Sequence, residues 1–152
     1  MSAPATVLQL PMTDSAHESE RKGPTGMDVT TGKRAADTAA DAYHAHGTTA
    51  ERWARGQLFF EAREYTTAAR VLVSVAEEAP EQLAPRLLLA RAYYHSAQLS
   101  RAEAELRAIL ERWPVEDYAR LMLGRTLERL GRADEARPHL RMAAAMAGEF
   151  PL

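Results

Sequence analysis

From Thr48 onward the chain repeats itself at a fixed offset of 34 residues. Small residues recur at two positions of each unit, first at Gly56, Ala90 and Gly124, and then at Ala68, Ala102 and Ala136. Large apolar residues recur at Leu72, Leu106 and Leu140, and prolines close the first two units at Pro80 and Pro114. Because a unit of this length cannot bury its apolar face alone, successive units are expected to stack on one another.

Within each unit the apolar residues lie three and four positions apart, which is the spacing of an amphipathic helix. The pattern predicts two helices per unit, with units at 49–82, 83–116 and 117–148 and turns at 63–64, 97–98 and 131–132. Closely packed helices need small side chains where their backbones cross. The expected facing pairs are Gly56 with Ala68, Ala90 with Ala102, and Gly124 with Ala136.

A further column is large and mostly aromatic, at Phe59, Tyr93 and Leu127. Together these columns resemble the signature of tetratricopeptide repeats, and the turn 131–136, Gly-Arg-Ala-Asp-Glu-Ala, is similar to the turn of that family. The resemblance implies an all-α fold, a right-handed α-solenoid of three helix-turn-helix repeats, of a small bacterial type. The sequence departs from the signature at three places. Trp53 lies one residue later than the leading tryptophan, and Val75 and Ile109 replace an alanine.

Outside the repeats, residues 1–47 are rich in Thr, Ser, Gly, Pro, Ala and charged residues, and are predicted to form a disordered N-terminal arm with a weak helix at 34–46. The segment 7–11, Val-Leu-Gln-Leu-Pro, is a candidate ligand of the repeats in cis, although an inert tail is the simpler interpretation. At the other end, residues 149–152 form a tail that follows an apolar surface. Two hypotheses stay open for that surface, a homodimer through the third repeat or local cover by the tail.

Charge and cysteine content exclude several classes of function. The net charge is -2, with 19 basic and 21 acidic residues, so the chain has no overall basic field for nucleic acid or a membrane surface. No stretch is long and apolar enough to span a membrane. The absence of cysteine fits a cytoplasmic protein, and the excess of arginine over lysine fits a bacterial one.

In tetratricopeptide-repeat proteins, the first helices of successive repeats line a concave groove that holds a peptide. By resemblance, the groove here is expected to be lined by Trp53, Gln57, Phe60, Glu61, Leu88, Arg91, Tyr94, His95, Tyr118, Met122, Arg125 and Arg129. Aromatic rings give rigid contact area and arginine can bind a carboxylate through two hydrogen bonds. The expected partner is therefore a protein or peptide that carries apolar and acidic residues.

No catalytic residue, metal ligand or cofactor is predicted. The histidines are scattered, and only the pair His44 and His46 has a spacing of interest, without a third ligand. The stretch 26–33 resembles a phosphate-binding loop superficially, but its glycine spacing is wrong and Arg34 follows the lysine. The chain is predicted to be a binding scaffold or adaptor and not an enzyme. A client-specific chaperone and a structural subunit of a larger complex are the alternatives.

Overall fold

The computed structural model describes residues 29–148, which contain seven α-helices and no strand. The predicted disorder of the arm over 1–28 and the tail 149–152 lie outside the described residues. The helices are α1 (Val29–His44), α2 (Thr49–Glu61), α3 (Tyr65–Glu78), α4 (Leu83–His95), α5 (Leu99–Arg112), α6 (Asp117–Arg129) and α7 (Ala133–Met146). The helices α2 to α7 form three consecutive pairs, which confirms the predicted all-α solenoid.

Local sequence explains where the repeat region begins. The Thr48 hydroxyl accepts a hydrogen bond from the Glu51 amide at 3.2 Å, and the Glu51 carboxylate accepts one from the Thr48 amide at 2.7 Å. This reciprocal pair is a capping box, which satisfies two amide groups that the first turn of a helix leaves unpaired. It fixes the start of α2 directly after the predicted boundary of the arm.

The turns inside the three pairs share one backbone conformation. Arg63, Ala97 and Gly131 occupy the same repeat position, and their φ angles are 62°, 59° and 78°. Only the third residue is a glycine, for which this left-handed conformation carries no steric cost. The conserved geometry shows that packing of the paired helices sets the turn, since Arg63 and Ala97 adopt it against their own preference.

Helix crossing within a pair involves the small residues of the first helix and a leucine of the second helix, and at Gly124 also the carbonyl oxygen of the expected partner Ala136, 3.4 Å from an added Cβ. A Cβ atom on Gly56 would lie 2.5 Å from Cδ2 of Leu72, and one on Gly124 would lie 2.5 Å from Cδ2 of Leu140. The nearest neighbour is therefore the leucine one turn after the expected alanine. Long side chains in a helix point back toward its N-terminus, so each leucine covers the turn that precedes it.

Packing between repeats forms a core of two hydrophobic clusters, one around Leu72 and Leu89 and one around Leu106 and Leu123. Helix α4 packs on α3 and contacts α2, and α6 packs on α5 and contacts α4 in the same manner. The largest fully buried side chains in this core are Leu72, Leu106, Ile109, Leu123, Leu127, Val71, Val75 and Thr126. The successive first helices α2, α4 and α6 thus contact one another and form one shared surface, which we call the first-helix face.

Helix α1 is attached to the first repeat through its C-terminal end. The Arg55 guanidinium donates hydrogen bonds to the carbonyl oxygens of His44 at 3.2 Å and His46 at 2.9 Å. Free carbonyl groups at a helix end attract such a cation. The His44 ring also meets the Phe59 ring edge-on, with centroids 5.7 Å apart. No helix within 29–148 is long and apolar enough to cross a bilayer.

Candidate functional site

A shallow pocket of about 290 Å³ lies on the first-helix face between α2 and α4. Helix α2 contributes three side chains to it and α4 two, and the lining residues are Gln57, Phe60, Glu61, Leu88 and Arg91. All five belong to the predicted groove. They converge because residues four apart on one helix share a face, as Gln57 shares one with Glu61.

Arg91 lies at the centre of this face, between aromatic rings from two neighbouring helices. Its guanidinium carbon is 4.7 Å from the centroid of the Phe60 ring and 5.9 Å from that of the Tyr118 ring. Its buried Nε atom has no hydrogen-bond partner, and Arg91 forms no ion pair within the described part of the chain. The face therefore presents a cation that is held by aromatic rings but not neutralised.

The face extends past the pocket through a pair of stacked rings. The imidazole of His95 stacks on Tyr65 with centroids 4.7 Å apart and lies 6.0 Å from the Phe60 ring. Burial, and then the nearby Arg91 and Arg129, lower the pKa of His95 below its usual value. The ring is thus neutral near pH 7 and adds flat apolar surface beside the arginine. Tyr65 was not among the predicted site residues, since it begins a second helix.

A second aromatic–arginine contact lies between α4 and α6. The guanidinium carbon of Arg129 is 4.5 Å from the Tyr94 ring centroid, and its Nη1 donates a hydrogen bond of 2.8 Å to the Tyr94 carbonyl oxygen. Arg129 therefore closes the C-terminal end of α4 and fixes the Tyr94 ring at the same time. Arg129 already donates a hydrogen bond within the protein, whereas Nε of Arg91 has no partner.

Three predicted groove residues are placed differently from this cluster. Met122 lies in the core, where it is 6% exposed and packs among buried residues such as Leu106 and Leu123. Trp53 is partly buried against the core of the first two repeats. Arg125 is exposed on α6 and forms no ion pair among residues 29–148.

Aromatic rings and guanidinium groups make up most of the contacts described on this face. In the described residues, no group of three His, Cys, Asp or Glu side chains is arranged to hold a metal ion. Partly buried rings next to cations favour an apolar side chain flanked by a carboxylate, because the ring gives contact area and the guanidinium gives directed hydrogen bonds.

Comparison with known proteins agrees with this architecture. A tetratricopeptide-repeat family model matches residues 59–122. Among solved structures, a point mutant of MamA superposes with a TM-score of 0.66 at 22% sequence identity, covering 77% of this chain and 88% of that one. MamA of MSR-1 gives a TM-score of 0.64 at 22% identity, and MamA of AMB-1 gives 0.64 at 22% identity. A search of curated protein sequences finds no match.

The MSR-1 and AMB-1 structures extend beyond the part that matches this chain. This chain is covered to 77% and 69% by the MSR-1 and AMB-1 structures, and spans 64% and 57% of their own length. At such identity the likeness concerns the fold, which in MamA is also a tetratricopeptide solenoid. The 34-residue pattern, the helix pairs and the family match agree that residues 59–122 form tetratricopeptide repeats.

Proposed function

We propose that this protein is an adaptor that binds a peptide segment of a partner protein on the first-helix face. The bound segment carries an acidic side chain next to an apolar one. The observation that supports this most directly is Arg91, whose guanidinium lies between Phe60 and Tyr118 with an unpartnered Nε atom. A carboxylate from outside would supply the missing negative charge, and the rings would contact the neighbouring apolar side chain.

The wider face supports the same ligand chemistry. Arg125 adds an exposed cation to the partly buried Arg91, so these two arginines outnumber Glu61, the acidic residue of the pocket. His95 with Tyr65 continues the aromatic surface on the α2 side. Positive charge on such a surface also accelerates encounter with an acidic segment, an effect that salt weakens. The proposal includes no reaction and places the protein in the cytoplasm, in keeping with the absence of cysteine.

Selection from a random 12-residue peptide library tests this proposal. The wild-type protein is expected to enrich peptides in which Asp or Glu lies beside an aromatic or aliphatic residue. Arg91→Glu combined with Arg125→Glu should lose these peptides by about tenfold or more, because the substitutions reverse the charge that the carboxylate contacts.

Arg101→Glu is the matched control for that experiment. Arg101 is also exposed and also lies over a tyrosine, 5.9 Å from the Tyr93 ring, but it belongs to the second helix α5. Arg101→Glu should therefore leave the set of enriched peptides unchanged. Enrichment without acidic residues, or an equal loss in the control, would show that the first-helix face is not the binding site.

We also propose that a second copy of the chain packs on the third repeat. Leu72 and Leu106 are fully buried because α4 and α6 cover them, whereas the equivalent Leu140 is only partly buried. Beside it, Met142 is 52% exposed and Met146 is 38% exposed. Light scattering should give a dimer mass that Met142→Glu converts to a monomer mass. A monomer mass for the wild-type protein at high concentration would contradict the dimer and favour cover by residues 149–152.

A further inference from the structure

One arginine recurs at the same position of every repeat, and its three copies have different partners. Arg52, Arg86 and Arg120 are separated by 34 residues. In the first repeat, Nη2 of Arg52 lies 2.6 Å from Oε2 of Glu78. In the second repeat, Nη1 of Arg86 lies 2.9 Å from Oε1 of Glu105. Both cations are therefore neutralised by a carboxylate of their own repeat.

The third copy lacks such a partner because the residue opposite has changed. Glu105 corresponds to His139, which lies 34 positions later on α7. Arg120 forms no ion pair within residues 29–148, and its Nη2 donates instead to the carbonyl oxygen of Pro114 at 2.6 Å. Its Nε is buried and has no hydrogen-bond partner. A buried donor without an acceptor is costly, so this position favours a ligand that accepts.

A pocket of about 270 Å³ lies beside the unpaired arginine. Its walls come from α5, α6 and α7, and its lining residues are Arg107, Leu110, Glu111, Arg120, Leu123 and His139. One repeat earlier, the corresponding residues come from α3, α4 and α5, and the ion pair Arg86–Glu105 occupies the equivalent position there: Val73, Ala76, Glu77, Arg86, Leu89 and Glu105.

We propose that this pocket is a second binding site, which takes a carboxylate group of a ligand against Arg120 and His139. It lies between α6 and the second helices α5 and α7, and it shares no lining residue with the pocket between α2 and α4.

Charge balance selects a single carboxylate over a more highly charged phosphate. Arg107 is already paired with Glu103 at 2.9 Å and lies 3.7 Å from Glu135, so Arg120 is the cation left without a counter-charge. The exposed Glu111 in the lining also repels additional negative charge. The planar carboxylate of Glu105 on Arg86 shows the geometry that the fold accommodates at this position.

The same surroundings change the pKa of His139. Burial, then Arg120 and Arg107, lower the pKa of His139, while Glu135 on its own helix opposes them. A neutral imidazole can donate a hydrogen bond to a carboxylate without adding a charge to the pocket.

Amide NMR of the full chain tests the site with two carboxylate probes at constant ionic strength, acetate and N-acetyl-Ala-Glu-Ala-amide. In the wild-type protein we expect saturable shifts of the amides of residues 120 and 139. A response to both probes means that any accessible carboxylate binds, and a response to the peptide alone assigns the ligand to an acidic side chain of a partner. Either result supports the site, and no saturable shift with either probe overturns it.

Two variants remove the site in different ways. His139→Glu restores the carboxylate of the second repeat and should abolish the saturable shifts while the protein stays folded. Arg120→Gln should abolish them as well, which keeps the test valid if one variant folds poorly. Shifts equal to those of the wild type in either folded variant would overturn the proposal.

The reverse substitution provides the matched control. Glu105→His gives the second repeat the residue of the third and should create new saturable shifts at residues 86 and 105. If this variant folds and gains no response, the exchange of carboxylate for imidazole does not make the site and the proposal fails.

Discussion

The second and third repeats have the same fold and the same spacing, yet equivalent positions differ in residue type or in burial. Ala90 and Glu105 in the second repeat correspond to Gly124 and His139 in the third, whereas Leu106 and Leu140 are the same residue, fully buried in the second repeat and partly buried in the third. The second repeat is covered on both sides, by α3 and by α6. For the third repeat, the described residues provide cover on one side only, by α5. Equivalent repeat positions therefore share a backbone geometry, but the contribution of each residue to stability depends on its neighbours.

The largest expected effect concerns the two equivalent leucines. Leu106→Ala removes a side chain that is fully buried, so it should lower the free energy of unfolding by about 2–5 kcal/mol through lost burial and a residual cavity. Leu140→Ala should cost less than half as much, because Leu140 is only partly buried. Urea denaturation of both variants measures the difference. Equal losses would mean that the third repeat is covered as fully as the second.

Much of this arrangement follows from the sequence. A single small or apolar residue is compatible with many helical folds, but the same residue type at three positions 34 residues apart indicates a repeat. The 34-residue offset predicted six helices and placed the turns at the residues that adopt positive φ. It could not place Met122, since an apolar residue on a first helix fits the core and the exposed face equally well. It also missed Arg120 and His139, although the column Arg52, Arg86 and Arg120 was visible in the sequence.

A somewhat smaller loss of stability is expected when a larger side chain replaces one of the recurring alanines of the second helices, Ala68, Ala102 and Ala136. Ala102→Leu should cost about 1–3 kcal/mol, because Ala102 is fully buried and α5 is held between α4 and α6. Ala136→Leu, at the equivalent position of α7, should cost less if the outer helix is free to shift outward. Thermal unfolding compares the two, and a melting temperature unchanged by Ala102→Leu would argue against the packing described here.

Alanine substitutions at Gly56 and Gly124 compare the first repeat, which α4 covers, with the third repeat, and the expected difference in stability is smaller. An alanine at position 56 gains about 1 kcal/mol of helix propensity but would meet Leu72, which is fully buried and has little room to move. We expect overpacking to exceed that gain and Gly56→Ala to be destabilising by roughly 1 kcal/mol. Gly124→Ala meets the partly exposed Leu140 at the same distance, so this side chain can turn aside and the variant should be close to neutral. A greater loss for Gly124→Ala than for Gly56→Ala would reverse this ranking.

The smallest expected effect is a pH dependence that the third repeat has and the second lacks at this position. The pKa of His139 is lowered by burial and by Arg120 and Arg107, so the folded protein binds a proton less readily than the unfolded chain, whose histidines titrate near 6.5. Stability should therefore fall as the pH drops through 6.5 toward the lower pKa of the folded state. Because the pKa values of Glu51, Glu78 and Glu135 are also lowered, from an ordinary value of 4.5, their stabilisation is lost only at more acid pH.

The interval between about pH 7 and pH 5 consequently isolates the histidines. In urea denaturation over this range, His139→Gln should show a shallower decline of stability than the wild type. The decline that remains is expected from His95, whose pKa is lowered in the same direction, and His95→Gln combined with His139→Gln should flatten it further. If the single variant keeps the full wild-type slope, the arginines beside His139 do not disfavour its protonation, and the contrast between His139 and Glu105 is one of shape and not of charge.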